Sequence, residues 1–326
     1  MYEKEMSSPY DGCVLYLLLG SSSLTFDLEK AVCSHGFFMM APNHWDPATK
    51  TLQRPFRLFS SSSTTTVVVR IYQPSNDSSN LHVQVVGTHF ISSQDKQVLL
   101  AQVSRMLRVS EKEENDISEF HEIHPGAKIV GFGRIFRSPT LFEDIVKSIL
   151  LCNCGWGRSL DMARALCDVQ LELKGFKQKA KRKRGAAETS SLGDFPTSKE
   201  LANVKKEFLE KRCNLGYRAE TIVRLVRSIE SGELHFEDDQ DYNTVTIMLE
   251  SVKGIGSFTS SYVLTCMGFY QRIPADTETI RHIKQVHARE ICSAKTVNKD
   301  ANEIYKKYAP FQYLAYWYVS YHLLIS

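Results

Sequence analysis

The side chains with the most chemical promise lie between Leu249 and Val286. Gly254-Ile255-Gly256 sits between two segments of helical periodicity, flanked by Lys253 and Ser257. Two glycines there permit positive φ angles and the close approach of another backbone. A helix opening at Ser257 turns its free N–H groups, and the positive end of its dipole, out of the bend, which makes a seat for a phosphate. One helix and one turn later comes Ile273-Pro274-Ala275-Asp276-Thr277. Pro274 interrupts the chain, and Asp276 opens the next helix, expected over 277–286. The dipole there favours the ionised carboxylate. A fixed carboxylate beside a sugar can stabilise a cationic, oxocarbenium-like transition state. On these residues alone, a ligand-free helix–helix turn and a plain N-cap aspartate are open alternatives.

The elements that must position these groups change character along the chain. Val67–Tyr72 is β-branched and aromatic, and Leu81–Val85 alternates apolar and polar. Both read as strands, joined by a loop over 73–80 rich in turn residues. Ser60–Thr66 is a hydroxyl-rich tract that reads as an extended loop. From about residue 94 the period becomes helical. Ser138-Pro139 predicts an N-cap and first-turn proline for a helix over 138–151, with Phe142, Ile145, Val146, Ile149 and Leu150 on one face. Ile222, Leu225, Val226 and Ile229 mark a second helix, and Val245, Met248, Leu249 and Val252 a third. The chain after Pro310 is densely aromatic.

Composition bounds the class. The chain has 326 residues, 43% of them hydrophobic and 24% charged, enough to bury a substantial core. Its apolar runs, such as Val14–Leu19, are far too short to span a bilayer, and no secretory signal is expected. The net charge of +3 does not by itself mark a nucleic-acid binder. Eight scattered cysteines suit a reducing compartment, and Cys152-Asn153-Cys154 is too tightly spaced for a zinc knuckle. Lys174–Arg184 is strongly basic and runs into a small, polar stretch, so 174–194 reads as a disordered insert. Lys181-Arg182-Lys183-Arg184 suits a nuclear localisation signal or a phosphate tether, and a solvated loop is the alternative.

The hairpin and the Pro274–Asp276 element, taken in order with several flanking segments, resemble the helix-hairpin-helix/Gly-Pro-Asp (HhH-GPD) DNA glycosylases. Those segments are Phe26-Asp27-Leu28, Phe195-Pro196-Thr197, Gly216-Tyr217-Arg218-Ala219 and Tyr308-Ala309-Pro310-Phe311. They look like the 3-methyladenine glycosylase II and 8-oxoguanine glycosylase branches and their plant base-excision-repair relatives. The resemblance covers roughly residues 24–325 apart from the basic insert. It implies an α+β fold: an N-terminal antiparallel β-sheet domain over 21–105, after a segment 1–20, packed on an all-α glycosylase module over 106–326. It also implies double-stranded DNA carrying a damaged base as the partner and a flipped nucleotide; a monomer is expected, placed in the nucleus by the basic cluster, with no membrane partner.

Residue by residue, the resemblance makes Asp276 the catalytic carboxylate. Lys253, Gly254, Ile255, Gly256 and Ser257 contact the DNA backbone, and the Val252 and Ile255 carbonyls hold a monovalent cation, Na or K. Asn153 is the duplex wedge, and Tyr217, Arg218 and Arg158 meet the orphaned base, with phosphate contact an equal reading for the two arginines. Trp156, Phe258, Tyr262, Tyr316 and Trp317 are candidates to stack on the flipped base, with core packing the alternative for each, and Ser320 stands at a pocket wall. His282 and His287 read as surface or helix-packing residues.

Departures narrow the expectation. Bifunctional members carry a lysine where this chain has Phe258, so a Schiff base is not expected. Only Cys292 follows Asp276, so no four-cysteine iron–sulfur cluster is expected. The expected activity is therefore monofunctional hydrolysis of an N-glycosidic bond to an alkylated or oxidised base, without a redox cofactor. A non-catalytic damage-binding protein, and a glycosylase with AP-lyase activity through Lys253, are the alternatives.

Overall fold

The structure, a computed structural model, describes residues 12–58, 66–175, 193–237 and 239–325, with side chains described as far as Ser320. Most of the Ser60–Thr66 tract and the Lys181–Arg184 cluster lie outside the described residues.

Five antiparallel strands form one sheet: β1 (Gly12–Leu18), β2 (His44–Asp46), β3 (Thr51–Arg57), β4 (Thr66–Tyr72) and β5 (Asn80–Val86), in the order β1-β5-β4-β3-β2. The expected hairpin is β4–β5, with Val69 facing Val85 and Ile71 facing Val83. These four side chains and Leu81 are buried on the inner face, as the period-two pattern requires. The stretch set apart as 1–20 supplies β1, which pairs along its whole length with β5, Gly12 opposite Val86 and Leu18 opposite Asn80.

A short helix, α1 (Leu28–Cys33), lies between β1 and β2. After the sheet come α2 (Ser93–Leu107), α3 (Glu111–Ile123), α4 (Pro125–Val130), α5 (Leu141–Leu151) and α6 (Trp156–Leu173). Beyond the insert come α7 (Ser198–Ala202), α8 (Lys206–Arg212), α9 (Arg218–Glu230), α10 (Tyr242–Ser251), α11 (Ser257–Met267), α12 (Thr277–His287), α13 (Val297–Tyr305) and α14 (Gln312–Ile325). Local chemistry starts many of them: Ser92, Ser110, Thr140, Thr197 and Asp241 each accept a backbone N–H in the first turn of the helix that follows. Among the described residues no helix is long and apolar enough to cross a membrane.

α5 departs from expectation at its start. Its N-cap is Thr140 and not Ser138, because Pro139 holds the residue before it out of the helical region. Ser138 is buried ahead of the helix and donates its N–H to Asp144 Oδ1 at 2.7 Å. The polar side of α5 is also buried. Arg54 of β3 reaches Glu143 with both Nη atoms, at 3.2 and 3.0 Å, and Lys147 pairs with the same carboxylate at 2.7 Å. Burial alone would push the Glu143 carboxyl up; the Arg54 and Lys147 charges outweigh it and hold the carboxyl down at about 2. Arg57 adds pairs to Asp194 and Glu200. An ionic seam thus joins the sheet to the helical part.

Two apolar cores flank the centre of the molecule. One runs from the sheet through α2, α5, α6, α9 and α11. The other is aromatic and lies among α3, α12, α13 and α14, with Phe120, Tyr305, Tyr313 and Tyr316. Arg108, at the end of α2, donates to the Thr265 and Cys266 carbonyls at 2.7 and 3.1 Å, which satisfies the open C-terminal end of α11. Trp317 of α14 ties the far end of the chain to the sheet side, its Nε1 donating to the Ser34 carbonyl at 2.6 Å.

Candidate active site at the hairpin and the Asp276 turn

The hairpin between α10 and α11 is built as its glycines suggest, with one difference. The Val252 carbonyl accepts the Ile255 N–H at 2.9 Å and closes the bend. Gly254 has φ +107°, and a Cβ there would lie 2.3 Å from Thr221 Oγ1 of α9. Gly256 does not take a positive φ: it is the N-cap of α11 at φ −106° and ψ −176°, and a Cβ on it would meet nothing within 4 Å. Only Gly254 therefore requires glycine for its conformation. Gly256 leaves an open approach to the first N–H groups of α11. Lys253 and Ser257 are exposed beside it, whereas Val252 and Ile255 bury their side chains and leave backbone at the bend.

Asp276 is the N-cap of α12 and is half-buried. Its Oδ1 accepts the Thr279 N–H at 2.8 Å and stands 2.9 Å from Thr279 Oγ1. Its Oδ2 has no hydrogen-bond partner, and the carboxylate has no ion pair, among the described residues. The N-cap reading of this residue is met by one oxygen, and the other has no partner among the described residues. The carboxylate lies close enough to Tyr262 and Tyr316 for its charge to add to the burial that pushes both phenols up, Tyr316 to about 12.

Around it the aromatic candidates separate into two groups. Phe258, Tyr262 and Trp317 are half-buried, and Trp156 is 39% exposed. Tyr262 lies with its ring centroid 5.0 Å from Phe258 and 5.7 Å from His35, which is in turn 5.5 Å from Trp317. The Trp156 ring packs on Gly36, where a Cβ would come within 2.8 Å of it. Phe258, Tyr262 and Trp317 are thus linked through ring contacts that include His35, and Trp156 packs on the neighbouring Gly36. Tyr316 differs: it is only 6% exposed, and its hydroxyl lies 3.2 Å from Thr279 Oγ1, so it supports the Asp276 turn and offers no stacking face. Ser320 turns to His282 Nδ1, at 3.1 Å.

The duplex-facing candidates gather where the α5–α6 turn meets the α8–α9 turn. Asn153 is exposed in a left-handed conformation, φ +47°, and its Nδ2 donates to the Tyr217 hydroxyl at 3.2 Å. Tyr217 is 56% exposed and its hydroxyl also donates to the Cys152 carbonyl at 3.3 Å. Arg158 is exposed and anchored by one bond to the Asn214 carbonyl at 3.1 Å. Arg218 departs from expectation. It is 1% exposed, donates to the Cys152 and Leu215 carbonyls, and lies under the Tyr217 ring at 4.7 Å. It fixes the turn that carries Asn153 and does not reach a base.

Two residues absent from the sequence expectations belong to the site. Thr279 is the hub of the Asp276 turn; its signal was the Asp-x-x-Thr capping-box spacing. His35 is buried between Tyr262 and Trp317, and burial pushes its imidazole down to about 3. No sequence signal places it there. Among the described residues, no group of three or more His, Cys, Asp or Glu side chains could hold a metal ion.

No protein-family model and no curated protein matches the sequence. Solved structures do match the fold. A 3-methyladenine DNA glycosylase from Archaeoglobus fulgidus superposes with a TM-score of 0.62 at 19% identity, over 88% of this chain and 93% of the other. An 8-oxoguanine glycosylase/lyase from Clostridium acetobutylicum, solved with double-stranded DNA containing cytosine opposite 8-oxoguanine, also gives 0.62, at 15% identity over 91% and 92%. The structure of MBOgg1 with a low-affinity DNA ligand gives 0.54 at 15% identity. The chain has a DNA glycosylase-like fold. Its architecture is α+β, a five-stranded antiparallel sheet joined to a helical module, consistent with that fold.

Proposed function

We propose that this protein is a monofunctional DNA glycosylase of base excision repair, acting on double-stranded DNA that carries a damaged base. The observation that carries the reading is Asp276 itself. One carboxylate oxygen is pinned by Thr279 and the other has no partner among the described residues, with the Tyr262 and Tyr316 phenols close by.

A base inside a duplex is out of reach and must be flipped. The hairpin N–H groups, with Lys253 and Ser257, would grip the phosphates, and the Val252 and Ile255 carbonyls are where a monovalent cation would bridge to one of them. Asn153 and Tyr217 would fill the vacated space, and Arg158 would meet phosphate or the orphaned base. The extruded base would enter among Trp156, Phe258, Tyr262 and Trp317. Those rings suit an electron-poor, alkylated base best, and an oxidised purine is the second lesion class. Asp276 would stabilise the sugar cation as the N-glycosidic bond breaks and orient the attacking water. The products are free base and an abasic site. Nuclear localisation would come from the basic insert.

Phe258, at the position where a lyase would need an amine, supports the monofunctional form. Base release from a panel of duplexes, each carrying one alkylated or oxidised base and incubated without added lyase, tests the proposal. Tight binding with no release on any lesion would favour a non-catalytic damage sensor. A covalent adduct trapped by borohydride would favour a lyase acting through the exposed Lys253.

A further inference from the structure

We infer that Arg272 is a further contact to the DNA backbone, held by Glu250 in the unbound protein and passed to a phosphate when the duplex docks on the hairpin. The inference rests on the glycosylase reading of the same site, and it adds to that reading a carboxylate that competes with the DNA.

Glu250 is the residue out of place. It is the penultimate residue of α10, exposed, and four residues ahead of Gly254. A carboxylate there faces the negative end of the α10 dipole, and it repels a phosphate seated on the N–H groups of the bend that follows. Its partners among the described residues are Ser260 Oγ at 3.2 Å and Arg272 Nη1 at 3.5 Å, both on the same oxygen, Oε1. Ser260 Oγ also lies 3.2 Å from the carbonyl of Ser257, the first residue of α11. Glu250 and Arg272 therefore flank the turn of helix that opens at the phosphate seat.

Arg272 lies in the loop that returns from α11 to α12, four residues before Asp276. Its side chain is 32% exposed and that of Glu250 43%. An ion pair this open to water contributes little, and 3.5 Å is the long limit of a hydrogen bond. Arg272 has no second partner among the described residues, so the rest of its guanidinium fork is unspent. A phosphate offers that fork two oxygens and charge-assisted bonds, which a single carboxylate oxygen at the long limit does not match. Docking exchanges one weak contact for a stronger one and leaves Glu250 with Ser260. Because Arg272 and Asp276 share one loop, the phosphate that Arg272 takes fixes that loop to the strand gripped by the hairpin.

Binding of a duplex carrying one tetrahydrofuran abasic-site analogue, measured at several salt concentrations, tests this whatever the lesion. Arg272→Ala should weaken binding severalfold and flatten the dependence of log K on log salt by about one unit, while Arg272→Lys keeps the slope. Glu250→Gln should tighten binding about threefold in the wild-type background and have no effect in the Arg272→Ala background. Unchanged affinity and slope in Arg272→Ala overturn the contact, as does a loss in Arg272→Ala that Arg272→Lys shares in full. An equal gain from Glu250→Gln in both backgrounds means that Glu250 acts through net charge alone, and overturns the exchange. If the wild-type protein binds no duplex, the glycosylase reading falls and the inference with it; if it binds and these variants fail as described, the inference falls alone.

Discussion

Gly254 of the hairpin packs on Thr221 of α9 so closely that a Cβ at 254 would stand 2.3 Å from the threonine hydroxyl oxygen. The bend is thus held by its neighbour helix as well as by its own turn. Gly254→Ala meets this contact and a φ of +107°, and should cost about 2 kcal/mol or more. Gly256→Ala meets neither, and should cost below about 1 kcal/mol while weakening DNA binding by crowding the phosphate seat. Chemical denaturation beside a DNA titration separates the two effects.

The two arginines expected at the duplex should behave differently. Arg218→Ala removes a buried guanidinium that holds the Cys152 carbonyl, and should cost about 2 kcal/mol and loosen the turn at Asn153. Arg158→Ala should change stability by less than about 0.5 kcal/mol, lower DNA affinity, and flatten the dependence of log K on log salt by about one unit. Unfolding curves and binding at several salt concentrations check both.

This contrast marks what could be read from the sequence. The glycine bend, the Pro274–Asp276 turn, the β-branched run of β4 and the alternation of β5 are local signals, and a helix–helix bend, a helix start and two strands lie there. β1 escaped because its partner, β5, is distant in the chain and six apolar residues in a row do not alternate. The burial of Glu143 and Lys147 on α5 has no signal in the sequence, because both residue types are ordinarily exposed. They are buried only because Arg54, far away in the sequence, supplies the compensating charge. Arg218 and Tyr316 carry residue types suited to base contact, and burial is a tertiary property that neither type reveals.

Acid should destabilise the protein through its neutral histidines. His35 is pushed down to about 3 and His282 to about 4, both below the ordinary imidazole value of 6.5. Between those limits the unfolded chain binds protons that the native state refuses, so stability falls as pH drops below about 6.5. Each histidine contributes about 1.4 kcal/mol per pH unit until its folded value is reached. Glu143, held at about 2, adds loss in the same direction below its ordinary value of 4.5. Denaturant midpoints measured from pH 7 to pH 4.5 should decline, and His35→Asn should reduce the slope.

Lys253 is exposed on the hairpin and is assigned to phosphate contact. Lys253→Ala should weaken DNA binding severalfold and reduce its salt dependence, while release from fully bound substrate proceeds at the wild-type rate. Borohydride should trap no adduct with the wild-type protein. Quantitative trapping that disappears in Lys253→Ala would reverse this assignment.

The most direct measurement is single-turnover base release by Asp276→Asn on a lesion that the wild-type protein processes, alongside DNA affinity. Asparagine keeps an oxygen to accept the Thr279 N–H, so the helix cap persists while the charge is lost. The account predicts that release falls at least a hundredfold with binding preserved. Release at the wild-type rate would contradict it.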